Sequence, residues 1–434
     1  ERAPFTGTLM DDEALRQIDA EMSDLRNCEK RLSEAPEGSS FETHLIYGIT
    51  GSGKTEIYLQ AIDEAMAIGK GVIMLVPEIS LTAQTIERFR SRFEGHIAIL
   101  HHKLSPGERY DEWHRIKRGE ASIVIGARSA VFSPVKDLGL IIVDEEHEQT
   151  YKQSEEAPCY QARDVAVMRG KQCNAAIILG SATPSLESYQ NAISGKYILS
   201  TLKERADTAT LPTVHILDMK KERERAGGYT NFSSPLLDGI KKRQQKGEQT
   251  ILFLNRRGYH TTLQCQTCGS SVKCCHCDLS LTYHQNTNRL NCHLCGFEIS
   301  PPPKHCPACK SPDPMKFRGV GTEQIEKTLH AIFPDIRTLR VDADTTKHKG
   351  SHQKLLRDFG SGKADVLIGT QMIAKGLHFP EVTLVGVINS DSGLNIPDFR
   401  ASEAVFQLIT QVAGRSGRGS TPGEVIIQTL MPEN

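Results

Sequence analysis

The chain has 434 residues, enough for two or three domains, and 52 Lys and Arg against 53 Asp and Glu leave a net charge of −1. No run of about 18 apolar residues occurs, which excludes a helical membrane span. The start, Glu1-Arg2-Ala3-Pro4, is no signal peptide and reads as a cut end, while the near-zero charge leaves room for a local basic groove.

Residues 1–41 are polar, and 11–32 carry Leu15, Ile18, Met22 and Leu25 near helical spacing, so a lead-in helix is expected there. From 44 to about 200, apolar runs at 44–47, 72–76, 97–100, 122–125, 140–144 and 175–179 alternate with amphipathic stretches. That alternation predicts an α/β fold, a parallel sheet covered by helices on both faces. Ligands of such sheets sit at the carboxyl ends of the strands.

The first such end carries Gly48-Ile49-Thr50-Gly51-Ser52-Gly53-Lys54-Thr55, a full match to the phosphate loop G-x-x-x-x-G-K-[ST], followed by a predicted helix over 56–68. Gly48, Gly51, Ser52, Gly53, Lys54 and Thr55 would surround a nucleotide's phosphates with backbone N–H groups at the positive end of a helix dipole. Lys54 would reach the β- and γ-phosphates, and the Thr55 hydroxyl a magnesium ion. Glycine-rich turns also occur without ligands, but rarely with all these positions filled between a strand and a helix.

The 140–144 run ends in Asp144-Glu145-Glu146-His147. Asp144 is expected to hold magnesium through its water shell, and Glu145 to orient and deprotonate an attacking water. The bland alternative is a solvated acidic strand end.

These two stretches together resemble the superfamily-two helicases of the DExH kind. Three further pieces fit in order: Pro77-Glu78-Ile79-Ser80-Leu81-Thr82 and Gly126-Ala127-Arg128-Ser129-Ala130, each after a strand, and Gly180-Ser181-Ala182-Thr183-Pro184, which resembles the motif coupling hydrolysis to movement. Residues 148–163 hold Tyr151 and Tyr160 where related helicases carry an aromatic-rich loop that senses single-stranded DNA, by stacking bases on aromatic faces. Two ordinary half-buried tyrosines are the alternative there.

Residues 201–232 are polar and charged and read as the passage between two lobes. A second alternating segment follows, with strands expected at 249–254, 338–341, 365–369 and 383–388, the last leading to Asp391. A helix over 402–413 delivers Gln411-Val412-Ala413-Gly414-Arg415-Ser416-Gly417-Arg418, which resembles helicase motif VI. Arg415 and Arg418 would cross to the γ-phosphate as arginine fingers.

Nine of the twelve cysteines lie between Cys265 and Cys309. Four C-x-x-C pairs (Cys265/Cys268, Cys274/Cys277, Cys292/Cys295 and Cys306/Cys309) supply eight thiolates, enough for two tetrahedral zinc sites in a reducing cytosol. The spacing leaves sequential, crossed and nested pairings open. Iron–sulfur clusters are the rival metal chemistry, and Cys275, His276, His293 and His305 are taken as bystanders.

A cysteine cassette interrupting a helicase lobe resembles the PriA family of primosomal replication-restart helicases. The likeness runs from about residue 42 to the end. It is carried by Asp144-Glu145-Glu146-His147, Asn255-Arg256-Arg257-Gly258-Tyr259, the four pairs, Gly319-Val320-Gly321-Thr322-Glu323, Gly369-Thr370-Gln371-Met372-Ile373-Ala374-Lys375-Gly376 and Asp398-Phe399-Arg400-Ala401-Ser402-Glu403. The resemblance implies two RecA-like lobes and a 3′-to-5′ DNA motor using ATP, magnesium and two zinc ions. It implies nested zinc sites, with the outer pairs on one ion and the inner pairs on the other. It also implies single-stranded and forked DNA, primosome proteins and single-stranded-DNA-binding protein as partners, a monomer, and a bacterial cytoplasmic, nucleoid-associated setting. The expected division is 1–41 lead-in, 42–205 first lobe, 206–260 start of the second lobe, 261–312 zinc module and 313–434 remainder of the second lobe. The family's fork-recognition and final domains are not visible in these residues, so a helicase-core fragment is expected. No Gln-containing adenine-reading motif precedes Gly48, and Ala404 stands where Arg is expected. A zinc-ribbon scaffold with a minor motor and an RNA helicase are the rival readings.

Overall fold

The computed structural model describes residues 41–77, 83–101, 104–154, 157–205, 211–254, 263–265, 267–277, 279–284, 288–292, 294–311, 316–317, 322–342, 345–346, 351–370, 373, 379–394, 396, 398–417 and 421–433. The expected lead-in helix, residues 78–82 and 255–259, Lys375 and Arg418 therefore lie outside the described residues. The chain divides into two compact units, 1–208 and 209–434.

The first unit is built on strands β1 (Thr43–Gly48), β2 (Gly71–Leu75), β3 (Ile97–Leu100), β4 (Ile123–Gly126), β5 (Leu138–Asp144), a short ribbon of β6 (Lys152–Gln153) and β7 (Tyr160–Gln161), β8 (Ala176–Ser181) and β9 (Ile198–Leu202). All but the ribbon join one parallel sheet in the order β3-β4-β2-β5-β8-β1-β9. Its helices are α1 (Lys54–Ala67), α2 (Ala83–Arg90), α3 (Pro106–Arg118), α4 (Ala162–Cys173) and α5 (Leu186–Ile193). Successive strand residues point to opposite faces, and both faces are covered, so both parities are apolar. Ile46, Val72, Met74 and Ile142 pack on one side with Ile57, Ile62 and Phe89. Leu45, Ile73, Leu75, Ile141 and Val143 pack on the other with Ile116, Ala162 and Ala166.

The second unit repeats the design. Strands β10 (Thr213–Asp218), β11 (Gln249–Leu254), then, after the cysteine module, β17 (Thr338–Val341), β18 (Val366–Gly369), β19 (Val382–Ile388) and β20 (Glu424–Thr429) form a parallel sheet ordered β10-β20-β19-β11-β18-β17. Helices α6 (Met219–Arg225), α7 (Ser234–Lys246), α8 (Thr322–Ile332), α9 (Ser351–Gly360), α10 (Asp391–Leu394) and α11 (Ala401–Ala413) surround it. Leu236, Ile240, Ile325 and Leu329 close one face over Leu252 and Ile368. Leu356, Phe359, Leu408 and Val412 close the other over Ile251 and Leu367.

The module between the lobe's halves has its own core of Leu263, Val272, Leu281 and Leu290 among the cysteines. Its stem is an antiparallel pair, β12 (Leu263–Gln264) with β16 (Lys316–Phe317), and its body is the three-stranded β13 (Thr282–His284), β14 (Arg289–Asn291) and β15 (Glu298–Ile299).

The reading of 201–232 as a passage between lobes is corrected here. Thr201 and Leu202 end β9 at an edge of the first sheet, and 213–218 form β10 at an edge of the second. Edge strands need no buried face. Four of the six β10 residues are exposed, Val214 and Ile216 among them, so the run is short, lies among charged residues and lacks the unbroken apolar character of the central strands. The six predicted first-lobe strands and the four predicted second-lobe strands form, each shifted by at most two residues at an end.

Candidate functional site

The phosphate loop joins β1 to α1. Gly51 and Gly53 stand at φ +87° and +89°, a region open to glycine at little cost. Gly48 is required by proximity, because a Cβ there would lie 2.6 Å from Ser52 Oγ. Gly53 is the N-cap of α1 and provides no side-chain cap. The Lys54 ammonium donates to the carbonyls of Gly48 at 2.6 Å and Ile49 at 3.3 Å, which holds it across the loop.

Asp144 ends β5, separated from β1 only by β8. Its Oδ1 accepts from the Tyr58 hydroxyl at 3.0 Å, and its carbonyl accepts from the Tyr151 hydroxyl at 2.7 Å. Burial, then the neighbouring charge of Glu145, pushes the Asp144 carboxyl up to about 7, with the Lys54 ammonium and the Tyr58 hydroxyl pulling the other way. A half-buried acid held beside a lysine, at a tip where more cationic charge would be stabilising, suits a cation site. Glu145 has φ +48°, and its Oε2 is enclosed with no hydrogen-bond partner. His147 Nδ1 stands 3.6 Å from Glu145.

The other two residues of the quartet face inward. Glu146 is 0 % exposed and accepts from Ser185 N at 2.7 Å, Ser185 Oγ at 3.0 Å, Ser188 Oγ at 2.8 Å and Arg163 at 3.0 Å. Burial works against the Arg163 charge, but Glu146 and Asp164 more than offset it and raise its pKa. His147 Nδ1 lies 2.7 Å from Ser181 Oγ, which also accepts from Thr183 N, and Nε2 lies 3.5 Å from Thr183 Oγ1. The strand tip and the Gly180–Pro184 stretch are thus one hydrogen-bonded unit.

Tyr151 is corrected. It is 1 % exposed and belongs to the core, so it offers no face to a base. Tyr160 is partly exposed and meets Phe132 edge-on at 5.1 Å, and Phe132 is 48 % exposed. Arg128 donates to Lys152 O, at the start of the ribbon. Tyr58 and Phe132 were not singled out from sequence, and Glu146 was named there only as a member of the acidic quartet, with no role of its own. Tyr58 carries a signal in hindsight: it is a polar ring on the buried face of α1, which needs a buried acceptor.

In the second unit, Thr370 follows β18, and Asp391, 1 % exposed, follows β19 and accepts from Leu430 N at 2.8 Å. Thr322 donates to Asp342 at 2.5 Å. The turn carrying Arg415 lies at the opposite, amino end of β19. Gly417 N donates to Val382 O, and the buried Ser416 Oγ donates to Thr383 O.

The eight cysteines form two four-sulfur clusters, Cys265/Cys268/Cys306/Cys309 and Cys274/Cys277/Cys292/Cys295, each with its sulfurs within 4.8 Å of one another. This is the nested pairing. Sγ separations of 3.6 Å for Cys265–Cys309 and Cys268–Cys306, and 3.5 Å for Cys274–Cys295, approach the ~3.8 Å edge of a tetrahedron with ~2.3 Å zinc–sulfur bonds. The clusters suit two zinc ions. Cys275 and His276 lie outside both, as expected.

Comparison with known proteins agrees in two stages. Residues 32–192 match the DEAD/DEAH box helicase family and residues 319–420 the helicase conserved C-terminal domain. RecG bound to a three-way DNA junction superposes at TM-score 0.51 with 15% identity, over 97% of this chain and 45% of that one. S. cerevisiae Dbp5 bound to RNA and ADP BeF3 superposes at 0.50 with 14% identity, over 96% and 87%. The fold is therefore a helicase core of two RecA-like lobes with a cysteine-rich module.

Within that class, residues 274–299 match the PriA DNA helicase Cys-rich region domain. Replication restart protein PriA of Chlamydia pneumoniae is 57% identical over 91% of this chain and 53% of its own length, and that of Bacillus subtilis 51% identical over 93% and 50%. The chain belongs to the PriA family and spans about half the length of the curated relatives it matches. Among the described residues, no helix is long and apolar enough to cross a membrane.

Proposed function

We propose that the chain is the motor core of an ATP-dependent DNA helicase that moves 3′ to 5′ along single-stranded DNA and unwinds duplex. It would act in replication restart and primosome assembly at stalled forks. The observation that carries this reading is the gathering of Lys54, Asp144 and Glu145 around one sheet end, with Glu145 Oε2 enclosed, without a hydrogen-bond donor and 3.6 Å from His147 Nδ1. Lys54 would move from the loop carbonyls to the β- and γ-phosphates, and the N–H groups of Gly51, Ser52 and Gly53 would line the triphosphate. Thr55 and Asp144 would hold magnesium, which when bound neutralises charge between the phosphates. Glu145 would take the proton of the attacking water. Arg415 and Arg418 would stabilise the charge of the transition state from the second lobe. His147, bonded to Ser181, would pass the change at Asp144 and Glu145 to the Ser181-Ala182-Thr183 stretch.

The domain bounds proposed are those expected from sequence, with the first lobe at 42–205 and the zinc module at 261–312. Expected partners are single-stranded and forked DNA, primosome proteins and single-stranded-DNA-binding protein, bound by a monomer in the bacterial cytoplasm. The intact nucleotide residues disfavour a scaffold with a vestigial motor. The test is ATP turnover alone, with single-stranded DNA and with RNA of the same length. Stimulation by DNA above RNA supports the reading, and no stimulation by either overturns it.

A further inference from the structure

Tyr58 lies four residues beyond the phosphate loop, on α1, and is 0 % exposed. Its hydroxyl donates to Asp144 Oδ1 at 3.0 Å. The sheet makes room for it: Gly180 of β8 pairs across the sheet with Asp144, and a Cβ at Gly180 would lie 1.6 Å from the Tyr58 oxygen. Any side chain at 180 would expel the phenol. Tyr151 fixes the same residue from elsewhere, on its backbone carbonyl. Two buried phenols and one obligatory glycine therefore surround one residue, Asp144, with Tyr58 on its carboxylate and Tyr151 on its backbone carbonyl. A tyrosine that needed only to satisfy its hydroxyl could use a backbone carbonyl, as Tyr151 does.

We propose that Tyr58 is a positioning residue for the divalent cation that accompanies the nucleotide. It commits Oδ1 of Asp144 to a hydrogen bond and so fixes the rotamer that leaves Oδ2 to the cation's water shell. The inference rests on the nucleotide-site reading above. A carboxylate free to rotate would lose orientation each time the cation left, and the phenol removes that freedom in advance. Tyr58 itself touches neither phosphate nor cation in this scheme. Its effect belongs to the cation's apparent affinity, with nucleotide affinity in the absence of cation left alone.

The experiment titrates magnesium into a mixture of the protein and a fluorescent ADP analogue, for the unchanged chain, Tyr58→Phe and Gly180→Ala. Thermal unfolding of each is recorded alongside. Tyr58→Phe keeps the ring and removes the donor. Its half-saturating magnesium concentration is expected to rise roughly ten- to a hundredfold, as befits one hydrogen bond that orients a cation-binding carboxylate, with cation-free analogue binding unchanged. Gly180→Ala displaces the phenol without altering it and is expected to shift the magnesium titration in the same direction. An unchanged half-saturation in Tyr58→Phe, whether or not its unfolding temperature falls, overturns the proposal and leaves Tyr58 a packing residue. Failure of the unchanged chain to bind the analogue at any magnesium concentration instead overturns the nucleotide reading itself. Should Gly180→Ala not fold, Tyr58→Phe decides alone.

Discussion

Glu145 combines a left-handed backbone with an enclosed oxygen that has no hydrogen-bond donor, and a non-glycine residue held that way costs of order 1–3 kcal/mol. Such strain persists where a side chain must point somewhere particular, here with its carboxylate beside His147. Glu145→Gln keeps the shape and removes the base. Turnover should fall by about 10²–10⁴ with analogue binding retained, and near-normal turnover would remove Glu145 from the base role. Lys54→Ala should abolish hydrolysis, checked by the same assay. Glu146 makes a different prediction. Its removal in Glu146→Ala leaves Arg163 with only the exposed Asp164 as charge partner and strips Ser185 and Ser188 of their acceptor. A loss of roughly 3–5 kcal/mol is expected from denaturant midpoints. Asp144 has a raised pKa, so the folded protein holds a proton there that the unfolded chain releases near pH 4. Without magnesium, the group is neutral in both states below pH 4. Stability should then fall as pH rises from about 4 to 7, relative to Asp144→Asn, as thermal melts at stepped pH would show.

At the scale of elements, three of the four cysteine knuckles are seen as tight turns closed by their own backbone. Gly269 N donates to Cys265 O, Gly296 N to Cys292 O and Lys310 N to Cys306 O, with positive φ at 269, 296 and 310. The inner knuckles are brought together by the β13–β14 hairpin and the outer ones by the β12–β16 stem. The inner site closes a short loop and shortens the gap the outer site must close, which lowers its entropic cost. Purified protein should contain two zinc ions and no iron by elemental analysis. Cys274→Ser should retain one. Because the module is an insertion, ATP turnover without DNA should persist in that variant while unwinding weakens. Two irons per chain, or equal loss of both activities, would contradict this.

At the scale of the whole molecule, the lobes are two separately cored units, and the residues proposed to hydrolyse ATP are divided between them. Arg415→Ala and Arg418→Ala should slow turnover at saturating DNA while leaving both lobes folded by circular dichroism. Unchanged turnover would cancel the arginine-finger assignment. Ser416, buried on Thr383, should tolerate no such change without loss of stability.

What the sequence determined by itself was local. The phosphate loop, Asp144-Glu145-Glu146-His147 and the C-x-x-C pairs are contiguous, so their chemistry is written in spacing. The central strands are buried on both faces, so they read as unbroken apolar runs. The cysteine pairing was open on spacing, and only the resemblance pointed to the nested form that the sulfur positions show. Tertiary structure alone decided the rest. Tyr58 meets Asp144 across 86 residues and Ser188 meets Glu146 across 42, through a strand order that no short pattern encodes. It turned Tyr151 from a candidate stacking surface into a buried clamp. It also added β9 and β10 where the sequence reads as linker, because an edge strand takes its hydrogen bonds from a neighbour rather than from any apolar periodicity of its own.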